Sequence, residues 1–275
     1  MANQRRQVSR GQYGRNAGHK NWGVGKGVIL RNTPNLAQVG AGAAGAFVQN
    51  VFEGGAQVFT TTDTTLITAA VVAAGNVLLI AHANDGIVPT SVTCPGTTPV
   101  IVKTGLRCHV VMVPCPAGLA SGTTITFNFA TQVSRPAYRA DEFTNLASSP
   151  APSGGLIAYS GIVATNTPDA GNTGLLSTIK DIEFGAFSYA GTSPKADWTP
   201  GAGWTALGGA VAGAAAQHTV WSEYRVGDGG AADAKASTSD PAVNMEAIGV
   251  IFRGSATSPG AAGRRNMWIN GGLDG

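Results

Sequence analysis

The chain has 275 residues, with 39 Gly, 14 Pro, 18 basic and 15 acidic side chains, and 43% of it is hydrophobic. That is enough apolar material to bury a core, which excludes a disordered chain. The longest apolar run, Leu66 to Ala83, is broken by Thr68, Gly75, Asn76 and His82, so none is long enough to cross a membrane as a helix. Gly at about twice its usual share, with charge at about half, describes a β-rich protein whose surface is largely covered by partners.

Residues 1–52 carry seven basic side chains and no acidic one, +7, whereas residues 53–275 carry eleven basic and fifteen acidic, −4; the sum is the net +3. The first 31 residues contain no apolar run of the kind that export signals need, so the chain reads as made in the cytoplasm with no signal peptide and not built for Sec export. Arg5, Arg6, Arg10 and Arg15, with Tyr13 and Trp22 interleaved, form a basic arm suited to docking on an acidic protein surface. Seven charges in 31 residues are sparse for tracking a phosphate backbone, so nucleic acid is the weaker reading. Gly40 to Gly45 (GAGAAG) matches the letters of a dinucleotide-binding turn but follows no buried strand and opens no βαβ unit, so it reads as a linker.

Strands are predicted over Gln57–Ala70, Asn76–Ala83, Val92–Cys94, Val100–Thr104, Arg107–Val113, Thr123–Ala130 and Arg135–Phe143, separated by Gly- and Pro-containing turns. ASSPAPSGG, residues 147–155, is the clearest loop. Strands then resume over Leu156–Ala164, Lys180–Tyr189, Trp204–Leu207, His218–Val226, Ala232–Ser237 and Asn244–Arg253. In HTVWSEYRV, Thr219, Trp221, Glu223 and Arg225 point one way and Val220, Ser222, Tyr224 and Val226 the other. Ala206–Gln217 holds Gly208, Gly209 and Gly213, which argue against a helix and for a loop or a glycine-broken strand.

The two sides of the central loop read as loose copies: NVLLIAHAND answers IKDIEFGAFSYAG, GLRCHVVMVPCPAG answers QHTVWSEYRVGDGG, and YRADEFTNL answers MEAIGVIFRG. The expected organisation is therefore a basic arm and Gly/Ala-rich linker over 1–52, a β-sandwich over 53–255 in two pseudo-repeated halves (about 53–146 and 156–255), and a C-terminal docking segment over 256–275. In that segment Arg264 and Arg265 precede an apolar anchor at Trp268. The fold class is all-β, a jelly-roll-like sandwich with an extended basic arm; pattern alone leaves open whether the halves make one sandwich or two.

The phrases Ala74 to Ala81 (AGNVLLIA), Gly201 to Gly208 (GAGWTALG), Val220 to Val226 (VWSEYRV) and Glu246 to Arg253 (EAIGVIFR) resemble a recurrent β-sandwich module of minor tail and other virion proteins of tailed bacteriophages, especially those of actinobacteria. The resemblance covers about residues 57–255. It implies a non-enzymatic structural role in a virion, other virion proteins as partners, and assembly as a homo-oligomer. A capsid decoration protein and a carbohydrate-binding module are the rival readings.

No residue set points to chemistry. Cys94, Cys108 and Cys115 fit no zinc spacing and read as buried thiols, so neither metal nor cofactor is expected. Asp141 and Glu142 are adjacent on a strand and face opposite ways, as solvated edge or interface charges would. The four histidines adjoin no nucleophile signature. Trp198, in a Pro/Gly loop, and Trp221, on the more polar strand face, are the candidates for stacking on a host-surface glycan.

Overall fold

The computed structural model describes residues 43–55, 61–190, 198–212, 218–239 and 243–255. Arg5, Arg6, Arg10, Tyr13, Arg15, Trp22, Arg264, Arg265 and Trp268 lie outside the described residues.

The first half builds β1 (Ala46–Gly55), β2 (Thr61–Ile67), β3 (Asn76–Ala83), β4 (Pro89–Thr93), β5 (Val100–Thr104), β6 (Cys108–Cys115), β7 (Thr124–Val133) and β8 (Ala137–Thr144). The second builds β9 (Ile157–Thr165), β10 (Asp169–Leu176), β11 (Ile182–Ala190), β12 (Trp198–Pro200), β13 (Thr205–Val211), β14 (His218–Val226), β15 (Ala231–Thr238) and β16 (Val243–Phe252). Among the described residues every strand pairing is antiparallel, and there is no α-helix. The protein is all-β.

Among the described residues four sheets result, ordered β1-β8-β3-β6-β5, β2-β7-β4, β13-β14-β11-β16-β9 and β10-β15-β12. Subtracting eight from the second-half labels turns the last two into 5-6-3-8-1 and 2-7-4, so both halves have the same order. Each half is a sandwich of one five-stranded and one three-stranded sheet with jelly-roll connections. The two sandwiches then pack through their five-stranded sheets, giving four layers. Across that middle interface β3 faces β11, β6 faces β16 and β8 faces β14, pairings that are unchanged when the halves are exchanged. The molecule thus has the arrangement of an isologous dimer fused into one chain.

Three cores fill the three gaps between layers. Leu66, Leu78, Ile80, Phe127 and Tyr138 fill the first sandwich. Val77, Leu79, Val110, Met112 and Phe143 meet Phe184, Val220, Ile248, Val250 and Phe252 between the sandwiches. The second sandwich is filled mostly by small residues and aromatics: Ala158, Ala170, Ala234, Ala236 and Ala247 around Phe187, Trp204 and Trp221. Strands of the five-stranded sheets are covered on both faces. That explains the near-continuous apolar runs NVLLIAHA and CHVVMVPC, since neither face meets water.

β12 forms inside what the sequence reads as a Pro/Gly loop, and three further strands depart from the sequence expectation. β1 crosses the boundary expected at residue 52, and the linker reading of its start fails because Phe47 packs against the middle core and Val51 against the first. β10 was not anticipated; it carries few apolar residues, and its pairing with β15 shifts register twice. Thr205–Val211 is a strand broken by a bulge at Gly208, whose φ of 119° only glycine adopts readily.

Candidate functional site

The strand directions give the body two distinct poles. An antiparallel bridge between Leu146 and Gly254 joins the ends of β8 and β16, so β3 and β11 both start at this pole. The described chain also enters and leaves here. The Gly45 N–H donates to the Lys180 carbonyl at 2.9 Å, and the Asn145 side-chain amide donates to the Ala44 carbonyl at 3.1 Å. The Ser255 N–H donates to the Asn145 carbonyl at 2.7 Å, and the Gly254 N–H to Asp181 Oδ1 at 2.9 Å. Asp181 is 2% exposed, and its other oxygen takes Arg253 Nη1 at 2.5 Å and the Thr178 N–H at 2.7 Å. Both ends of the described chain are therefore pinned to one cluster around Asn145, Lys180 and Asp181.

The opposite pole carries the loops. Asn84 closes a turn there, its Oδ1 accepting the Gly86 and Ile87 N–H groups at 2.9 and 3.0 Å. Asp85 accepts from the Ser134 N–H and hydroxyl at 3.2 and 2.6 Å, which ties two turns together. Gly55, Ala190, Ala212, His218 and Val243 bound stretches of chain outside the description, and each sits at a strand end on this side.

Between the poles, a buried carboxylate locks the two sandwiches together, and further buried charges are paired within single sheets. Glu246, 1% exposed on β16, reaches into the turn joining β5 to β6 of the other sandwich. It accepts the Leu106, Arg107 and Cys108 N–H groups at 2.8, 2.7 and 2.5 Å and the Tyr159 hydroxyl at 2.5 Å. Gly105 makes room for it: a Cβ there would lie 2.5 Å from Glu246 Cδ. Lys103 Nζ sits 4.4 Å from the centre of the Tyr159 ring, adding a cation–π contact across the same seam.

At the other side of the seam Arg139, 5% exposed, donates from Nε to Asp141 at 2.9 and 3.0 Å and from Nη1 to Glu53. Burial outweighs the Arg139 guanidinium and lifts the Asp141 carboxyl to about 6. Glu142 points into the first sandwich and accepts from Gln49 Nε2 and Asn76 Nδ2, both at 2.6 Å, and from the Ala73 N–H at 2.8 Å. Asp141 and Glu142 do face opposite ways, but the expectation of solvated charge is corrected: both are fully buried, because the second sandwich and the Ala73–Asn76 turn cover the two faces.

Within the second sandwich Glu183 takes Arg225 Nε at 2.5 Å, and Glu223 accepts the Gly201 N–H at 3.0 Å. Burial pushes the Glu223 carboxyl up to about 8, against the opposing pull of the Gly201 and Lys235 N–H groups and Arg225. In the first sandwich His82 stacks on Tyr138 with ring centres 4.6 Å apart, and His109 lies 5.1 Å from His82. Burial holds His82 well below the usual histidine range and His109 down at about 3. These rings are packing residues of an aromatic core, and the three cysteines are buried free thiols. Among the described residues no group of three or more His, Cys, Asp and Glu side chains is placed to hold a metal ion.

The two tryptophans read as glycan contacts are brought together, but inside. Trp221 is 5% exposed and stacks on Trp198 at 5.5 Å between centres with 13° between planes, while Phe187 lies 6.0 Å from each. The exposure expected of Trp221 is thus corrected: its strand face, polar in sequence, is the inner face of the second sandwich, where Arg225 and Glu183 neutralise one another. Trp198 is half-buried in the same stack. A pocket beside this core, lined by Ser160, Val163, Thr165, Asp169 and Met245 among others, measures about 110 Å³, below the roughly 300 Å³ at which ligand pockets begin. Comparison with known proteins finds no match to any protein-family model, curated protein or solved structure.

Proposed function

We propose that this chain is a non-enzymatic structural component of a tailed bacteriophage virion, a minor tail protein that attaches through its N-terminal arm and turns loops toward the host surface. The observation that carries the reading is the shared exit of both chain ends at the Asn145, Lys180 and Asp181 cluster. A +7 arm tethered to one pole of a rigid, charge-locked body leaves the other pole free to carry loops. The partners in this reading are other virion proteins and further copies of the chain. The interior supports the same view, because Glu246 is spent on backbone N–H groups that join the two sandwiches, and Asp141 and Glu183 on arginines of their own sheets. The test is removal of residues 1–31. The truncated body should keep its melting temperature and be missing from purified particles; normal incorporation would overturn the proposal.

A further inference from the structure

Of the apolar side chains that the body leaves in water, Val88, Leu106 and Val163 lie toward the loop pole at 42%, 50% and 50% exposed, and the four most exposed among the described residues, Ile179, Val71, Leu176 and Ile67, gather at the exit pole. Leu176, which ends β10, and Ile179, in the connection to β11, are 61% and 71% exposed, and Val226, 44% exposed, ends β14 beside them. The equivalent connection of the first half exposes Ile67 at 53% and Val71 at 63%, and Val48 on β1 is 45% exposed. Gln49 Nε2 donates to the Val71 carbonyl at 2.8 Å, and Arg253 Nη1 donates to the Leu176 carbonyl at 3.0 Å. Both clusters are therefore fixed to the strands that bring the chain in and take it out. Two apolar clusters, one from each half, flank the exit cluster on the same pole.

We infer that this pole is seated against a neighbouring protein of the virion, which covers the two clusters, and that the opposite pole faces away. The inference rests on the proposal that the chain is a virion component, and it names what that component does with its body once the arm is attached. Exposed apolar clusters of this kind mark interaction surfaces. The covalent geometry selects the occupant. An arm anchored in a particle brings its own point of exit up to that particle at an effective concentration on the order of millimolar, so the face beside the exit meets the arm's partner first. The occupant is accordingly a protein with an apolar surface next to an acidic groove, the groove taking the +7 arm.

Cysteine footprinting of the full-length chain tests this. The natural thiols Cys94, Cys108 and Cys115 are buried, so introduced ones report alone. Ile179→Cys and Val71→Cys probe the two clusters, and Val88→Cys, at a 42% exposed residue on the loop side, is the control. Maleimide should label all three in the free protein. In purified particles the first two should slow at least tenfold while Val88→Cys stays unchanged. Free labelling at 179 and 71 in particles would overturn the inference and leave the virion reading standing. Protection already present in the free protein would overturn it too, showing that the chain's own segments or a second copy cover the clusters. Absence of the chain from particles would remove both. Either cluster variant suffices if the other fails to fold.

Discussion

Replacing Glu246 by Ala should uncouple the two sandwiches at their seam. The carboxylate accepts three backbone N–H groups of the 104–108 turn, and with the side chain gone those donors have no partner on β16. A buried donor left unmade costs about 1–3 kcal/mol. Two of the three are only partly buried, so the low end applies to them and the loss should be about 3–5 kcal/mol. For a body of this size that is a fall of roughly 6–20 °C in melting temperature. Differential scanning calorimetry gives the stability, and amide hydrogen exchange at Leu106, Arg107 and Cys108 gives the place. Gly105→Ala should act in the same direction, because its Cβ would occupy the carboxylate's position. A loss under about 1 kcal/mol, with those amides exchanging as before, would refute the account of Glu246 as a cross-seam acceptor.

Stability should depend on pH in a way that Glu223 controls. Its folded carboxyl, raised to about 8, keeps a proton that the unfolded chain releases near pH 4.5, so stability falls as pH rises between those values, by about 1.4 kcal/mol per unit. Asp141, raised to about 6, adds to this below pH 6, whereas His82, His109 and His218 oppose it below pH 6.5, since they stay neutral in the fold while the unfolded chain protonates them. Among these groups only Glu223 still acts above pH 6.5, and melting curves should show a loss of about 2 kcal/mol between pH 6.5 and 8. Glu223→Gln, which keeps an acceptor for the Gly201 N–H, should flatten that fall; parallel profiles for the two proteins would refute the assignment. Trp221→Ala should cost about 3–5 kcal/mol as a core truncation, measured by denaturant unfolding. A change within about 0.5 kcal/mol would mark a surface residue instead.

Much of the strand plan is legible in the sequence because the five-stranded sheets are covered on both faces. NVLLIAHA and CHVVMVPC are near-continuous apolar runs of strand length, and HTVWSEYRV and YRADEFT mix apolar and polar residues with no helical period. β1 escaped because an edge strand needs fewer apolar residues, and AFVQNVFEGG mixes them with polar ones. What alternation could not reveal is which side of a strand meets water. The face holding Trp221, Glu223 and Arg225 reads as exposed, and only the covering sheet β10-β15-β12, whose Ala170, Ala234 and Ala236 share a core with Trp221, makes it an interior. The seam was illegible for the same reason: Glu246 and the turn it holds are separated by about 140 positions, and no local signal links them. The converging chain ends depend on the bridge between Leu146 and Gly254, another pairing fixed by tertiary packing alone.

Cryo-electron microscopy of purified virions tests the central claim most directly. The account predicts density for the four-layered body on the tail, seated with the Leu146 and Gly254 pole inward and the Asn84 and Asp85 turns outward. A body on the capsid would contradict the tail position and favour the capsid decoration reading. A body seated by its loop pole, or absent from the virion, would contradict the account.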